Sequence, residues 1–257
     1  MTAAALASVL LVTGVVVGLP RWRAADQLTQ VDPGWSAWAL LDRKTLAVTG
    51  SSNAASPNRV ELMVAVWIAA DDLRRLAERG FQPNAAELAA LSSVLRYGDD
   101  QATQTFYRRN GEDQIIQRLI DLCGLVETVI RPGWWSLTEM SSNDAVRMGT
   151  CIADGRAAGP RWTKWVLDEM RQVPREERFG IVATLPADQQ GAVAMTNGWT
   201  LHVNEGLWVV NCLAIADNWI LAVQTRYPQR IGDLGYGAKT CADIARQVLP
   251  RILGGAS

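Results

Sequence analysis

The chain has 257 residues, about half of them apolar, with 25 basic and 26 acidic side chains and a formal net charge of −1. That is enough apolar material for one sizeable core or for two lobes sharing one, and it excludes a disordered or fibrous chain. Interspersed charge close to neutrality leaves no electrostatic footprint for a nucleic acid, and the single histidine, His202, excludes a histidine-rich zinc site and confines any Ser-His-Asp triad to one candidate.

Residues 1–19 are almost continuously apolar and end at Pro20, with Arg21 and Arg23 just beyond. The run reads as a signal sequence or single membrane anchor over about 1–25, which makes the protein secreted or membrane-anchored and leaves 26–257 as one extracytoplasmic domain. The alternative is a buried core helix, and the two arginines follow the run instead of preceding it, against the usual charge asymmetry of such segments. The apolar runs 38–42 and 46–49, joined by Arg43, Lys44 and Thr45, predict a β-hairpin. Ser56 and Pro57 then open a predicted helix in which Leu62, Val66, Ala69, Ala70 and Leu73 recur at helical spacing until Gly80. From 85 to 170 the patterns are helical with short polar breaks. Runs 192–195, 207–214 and 219–225 are strand-like, broken at Asn197-Gly198 and Asp217-Asn218, and a closing helix is predicted over about 239–253.

This order implies an α+β fold, an antiparallel sheet flanked by helices with an inserted all-helical lobe. The α/β lobe spans about 35–80 and 190–257, and the helical lobe about 81–189. Cys123, Cys151, Cys212 and Cys241 are even in number with no C-x-x-C spacing, so they fit disulfides formed in an oxidising compartment, or buried free thiols. Of the three pairings, neighbourhood in sequence favours Cys123 with Cys151 and Cys212 with Cys241.

Three short segments stand out along this order: Ser56-Pro57-Asn58-Arg59, Gly98-Asp99-Asp100 and Thr196-Asn197-Gly198. Over about 35–253 the chain resembles the β-lactamase and penicillin-binding protein family of serine hydrolases, in which a Ser-x-x-Lys opens the first long helix, a Ser-Asp-Asn lies in the helical lobe and a Lys-Thr-Gly edges the cleft. The stretch from Asp99 to Ala102, and Asn197-Gly198-Trp199 followed by the run 208–211, also resemble serine hydrolases of actinobacterial envelopes. The resemblance implies Ser56 as the nucleophile position, with Arg59, Asp99 and Asp100 beside it, and Thr196, Asn197, Gly198 and Trp199 as substrate-binding residues.

Each departure from those motifs has a chemical consequence. Arg59 stays charged at any working pH and cannot act as the base that a lysine becomes. Gly98 has no hydroxyl to relay a proton, Asp100 accepts hydrogen bonds where an amide would donate, and Thr196 carries no cation. Glu139 is the one nearby carboxylate in the loop that holds Pro132 to Ser136. Ser56 before Pro57 is read first as a helix cap; the alternative is a hydroxyl served by Asp99 or His202 as an unusual base. An ion pair between Arg59 and Asp100 is the structural expectation. Trp134, Trp135 and Trp199 are candidates for a cleft rim, against the alternative of core packing.

The reading is therefore an exported, catalytically impaired protein that keeps a cleft for a cell-wall or β-lactam-like small molecule or an envelope partner, with membrane contact through the N-terminal segment. The alternative is a weak serine hydrolase acting through Ser56. Neither reading calls for a cofactor, a metal or a nucleic acid, and the oligomeric state is left open.

Overall fold

The structure, a computed structural model, describes residues 21–24 and 34–250. The expected signal or anchor therefore falls outside the described residues, except for β1 (Arg21–Ala24), which pairs in parallel with β3 (Ala47–Gly50) at one sheet edge. Among the described residues no helix is long and apolar enough to cross a membrane.

The predicted hairpin is present. Strand β2 (Trp35–Asp42) runs antiparallel to β3, with Leu40 opposite Thr49 and Leu41 opposite Val48, and the Asp42 carboxylate closes the turn by accepting the N–H groups of Lys44 and Thr45 at 2.8 and 3.3 Å. Strands β6 (Ala194–His202), β7 (Leu207–Ile215) and β8 (Trp219–Pro228) complete a six-stranded sheet of order β1-β3-β2-β8-β7-β6, antiparallel except at the β1–β3 edge. A separate ribbon pairs β4 (Asn58–Arg59) with β5 (Glu139–Met140).

Alternation along the strands divides the core between the two sheet faces. Ala39, Leu41, Leu213, Ile215, Ile220 and Ala222 face a layer of helices, α1 (Ala65–Glu78), α2 (Ala85–Tyr97), α3 (Asp100–Arg109), α4 (Asp113–Cys123), α5 (Ser142–Ala153) and α6 (Thr163–Arg171). Trp38, Leu40, Val210, Cys212, Ala214, Leu221 and Val223 face the opposite layer, where α8 (Leu234–Val248) packs and the short α7 (Ala187–Gln190) precedes β6. A sheet covered on both faces explains why its strands read as continuous apolar runs. Two disulfides, Cys123–Cys151 between α4 and α5 and Cys212–Cys241 between β7 and α8, make the favoured pairing. Each closes a loop of 28 or 29 residues, a constraint on the unfolded chain of about 3–4 kcal/mol in the chain-entropy account.

Three predicted boundaries are corrected. Ser56-Pro57 does not open the first long helix: Ser56 ends a turn by donating its N–H to Asn53 O at 2.8 Å, Asn58 and Arg59 pair as β4, and a 3₁₀ turn over Glu61–Val64 leads into α1 at Ala65. Local propensity for a cap lost to the cross-chain pairing with β5. Strand β6 is not broken at Asn197-Gly198, because Gly198 lies where β6 crosses the Glu61–Val64 turn and an alanine Cβ there would sit 2.3 Å from Met63 N. The closing helix starts at Leu234, capped by the Asp233 carboxylate accepting Gly235 N–H at 2.9 Å. Gly235 and Gly237 in its first turn lower the helix propensity on which a sequence reading relies.

Candidate functional site

A ladder of side-chain amides holds the approach to α1. Buried Asn211 of β7 donates to the carbonyls of Arg59 at 2.8 Å and Val60 at 3.2 Å and accepts from Asn58 at 3.2 Å, and Val60 N–H donates to Thr138 O at 2.9 Å. Glu61 follows in a left-handed backbone conformation, φ 51°, which costs a non-glycine residue on the order of 1–3 kcal/mol. Its buried carboxylate lies 2.8 Å from His202 Nε2, so His202, considered above as a base for Ser56, ends β6 as the partner that anchors this strained turn.

Held in this way, the turn presents Leu62 to a cleft of about 130 Å³. One wall is the α2–α3 junction, where Gly98 adopts φ 62° as the end of α2 and a Cβ on it would lie 3.2 Å from the Leu62 methyl. The other is β6, contributing Met195, Thr196, Asn197 and Trp199, with Val173, Glu177 and Phe179 closing the end. Tyr97 and Trp199 form an exposed aromatic rim. Among the described residues, those that line it include no serine, cysteine, lysine or histidine.

The structure brings some predicted residues together and separates others. Gly98, Thr196, Asn197 and Trp199 share the cleft, with the Asn197 amide donating to Phe179 O at 3.3 Å. Gly198 is buried behind it, against the Val60–Met63 backbone. Asp99 caps α3: one carboxylate oxygen accepts Ala102 N–H at 2.9 Å and the other the Ser93 hydroxyl at 2.9 Å, and the bond from Ala102 leads the effects that hold its carboxyl below the usual range. Asp100 is the exposed first residue of α3. Ser56 is not among the residues that line the cleft. The expected Arg59–Asp100 pair is corrected: the Arg59 guanidinium, carried on β4 toward the β6–β7 turn, pairs instead with Glu205 at 2.9 Å. Glu139 pairs with Arg131 at 3.0 Å and faces a different cavity. Of the three tryptophans, only Trp199 lines the cleft; Trp134 is exposed elsewhere and Trp135 is buried, donating to Gln104 Oε1 at 2.9 Å. Sequence reasoning missed Leu62, Arg96, Tyr97 and Phe179, because apolar, aromatic or already paired side chains carry no catalytic signature. Among the described residues no group of three or more His, Cys, Asp or Glu side chains is placed to hold a metal ion.

Arg96, the guanidinium in the cleft wall, is held by Glu169 of α6 through two bonds of 2.6 and 2.9 Å, and Ser92 donates to the same carboxylate. Burial pushes the Glu169 carboxyl upward, but the bonds from Arg96 and Ser92 outweigh it and hold the group below its ordinary value of 4.5. A carboxylate with a depressed folded pKa contributes stability that is complete above the unfolded value and is lost as pH falls through the folded one. Glu169→Gln is therefore expected to destabilise the protein at neutral pH, with the gap from wild type narrowing in urea titrations below pH 4.5. A gap that is constant with pH, or that widens on acidification, would refute this assignment.

No family model matches the sequence, and no curated protein matches it. Solved structures do. PBP-A aligns with 90% of this chain and 97% of its own at a TM-score of 0.69 and 14% identity. A class A β-lactamase from Mycobacterium abscessus aligns with 86% of this chain and 94% of its own at 0.66 and 15%, and one from Bacteroides cellulosilyticus with 83% and 90% at 0.66 and 13%. The chain therefore has the β-lactamase and penicillin-binding protein fold, with the antiparallel sheet and helices expected from the order of its elements.

Proposed function

We propose that this is an exported protein of the β-lactamase fold that does not hydrolyse, and that its cleft binds an uncharged or amphipathic ligand of the cell envelope, such as a cell-wall fragment. The observation that carries this reading is Leu62: at the opening of the first long helix, between Gly98 and the β6 segment Thr196-Asn197, the cleft presents an isobutyl group. The position three residues on is Ala65, so neither a nucleophile nor a neutralisable amine stands where acyl transfer would need both. Arg96 is neutralised by Glu169 and Thr196 carries no charge, which favours ligands without a free anionic group. The two disulfides support folding in an oxidising, extracytoplasmic compartment.

The full chain is expected to take no label from a fluorescent penicillin or a fluorophosphonate, and its intact mass after long incubation with either is expected to be unchanged. Soluble cell-wall fragments are expected to raise its melting temperature, and Trp199→Ala to reduce that shift. A covalent adduct that disappears in Ser56→Ala would establish a working hydrolase and end this reading.

A further inference from the structure

We infer that a second cavity, between β4, β7 and β8, binds a small organic carboxylate through Arg226. This cavity of about 240 Å³ shares no lining residue with the cleft. Pro57, Leu207 and Val209 give it an apolar surface, and Arg59, Arg226 and Glu139 bring charge to it. Its volume is below the range of drug-sized pockets and suits a ligand of a few heavy atoms.

The charges around the cavity do not balance. Arg59 is paired with Glu205 at 2.9 Å and Glu139 with Arg131 at 3.0 Å. Arg226 has no carboxylate partner among the described residues. One face of its guanidinium stacks on Trp35 at 4.4 Å, and Nη1 donates to Pro57 O at 3.3 Å. A guanidinium has five N–H donors, so most of its capacity is unspent. Burial pulls its pKa down; the charge of Glu139 works against that and the charge of Arg59 adds to it. Among the described residues, the lining charges and their ion-pair partners are thus three guanidiniums, Arg59, Arg131 and Arg226, against two carboxylates, Glu139 and Glu205, leaving one positive charge over.

A monoanion cancels that surplus, whereas a dianion would leave uncompensated negative charge beside Glu139. A planar carboxylate matches the fork of a guanidinium in a two-bond contact, and the apolar body of the ligand would lie against Leu207, Val209 and Pro57. Stacking on Trp35 keeps the fork in place before binding, so little side-chain ordering has to accompany it.

The test is a calorimetric titration of the full chain with acetate, butyrate and benzoate, beside butylammonium and inorganic phosphate. Saturable binding of the carboxylates is expected, tightening roughly fourfold per added methylene, with butylammonium silent and phosphate weaker than benzoate. Arg226→Gln is expected to weaken binding roughly tenfold or more. Because Arg226 also stacks on Trp35, a second variant, Leu207→Asp, offers the guanidinium an internal carboxylate and is expected to abolish binding while leaving the stack intact. Absence of saturable binding in the wild type, unchanged affinity in both variants, or phosphate binding more tightly than benzoate would each overturn the inference. None of these outcomes depends on the cleft, so the two sites stand or fall separately.

Discussion

Gly198→Ala is expected to destabilise the protein by about 3 kcal/mol or more, the upper range for forcing an extra carbon into a packed interior. The new Cβ would sit 2.3 Å from Met63 N, 2.6 Å from Val60 O and 2.8 Å from Leu62 N, all of them backbone atoms that cannot rotate away. Relief requires β6 to separate from the turn that precedes α1, and that turn is tied down by Asn211 and by the Glu61–His202 contact. The cleft would open along its floor. Urea denaturation checks the magnitude, and Gly191→Ala is the control, since a Cβ at that position meets nothing within 4 Å. Equal stabilities for the two variants would show that β6 does not approach the turn as closely as described.

Asp144→Ala is expected to cost about 3–5 kcal/mol, the usual loss when one partner of a buried ion pair is removed. Asp144 is fully buried in the first turn of α5. Its carboxylate accepts Val126 N–H at 3.1 Å, Glu127 N–H at 2.8 Å and the Thr128 hydroxyl at 2.7 Å, and it pairs with Arg147. One side chain thereby fixes the connection between α4 and β5, which passes beside the Cys123–Cys151 disulfide. Burial pushes the neighbouring Glu127 carboxyl up, and the bond and charge of Asp144 add to the rise. Removing Asp144 should therefore also lower the Glu127 value, visible by NMR titration, and speed amide exchange at Val126 and Glu127. A loss below about 1 kcal/mol, the scale of a single ordinary hydrogen bond, would refute the network.

Much of the architecture is legible in the amino-acid sequence alone. Apolar runs and turn residues located the hairpin, the helical middle and the last two long strands, because burial periodicity is written directly into local sequence. The disulfide pairing was legible as well, since each pair joins neighbours within one lobe. The site was less so. The Ser56-Pro57 pattern is a sound local signal for a helix start, yet the pairing of Asn58 with Met140 and Arg59 with Glu139 moved the start onward and brought Leu62 to the cleft. Arg59 found Glu205, which is 146 residues away in sequence, beyond the reach of any local pattern.

By itself, then, the amino-acid sequence determined the α+β class, the order of elements, the disulfide framework and the absence of an intact Ser-x-x-Lys, Ser-Asp-Asn or Lys-Thr-Gly. Those properties follow from composition, spacing and residue identity along the chain. Only the tertiary structure decided which side chain stands at the opening of α1, which carboxylates hold Arg59 and Arg96, and that Arg226 stacks on Trp35 with no carboxylate partner among the described residues. The physical reason is that ion pairing, strand pairing and cavity shape are long-range relations. Local propensities of about 1 kcal/mol yield to them wherever burial makes an unpaired group more costly than a displaced helix start.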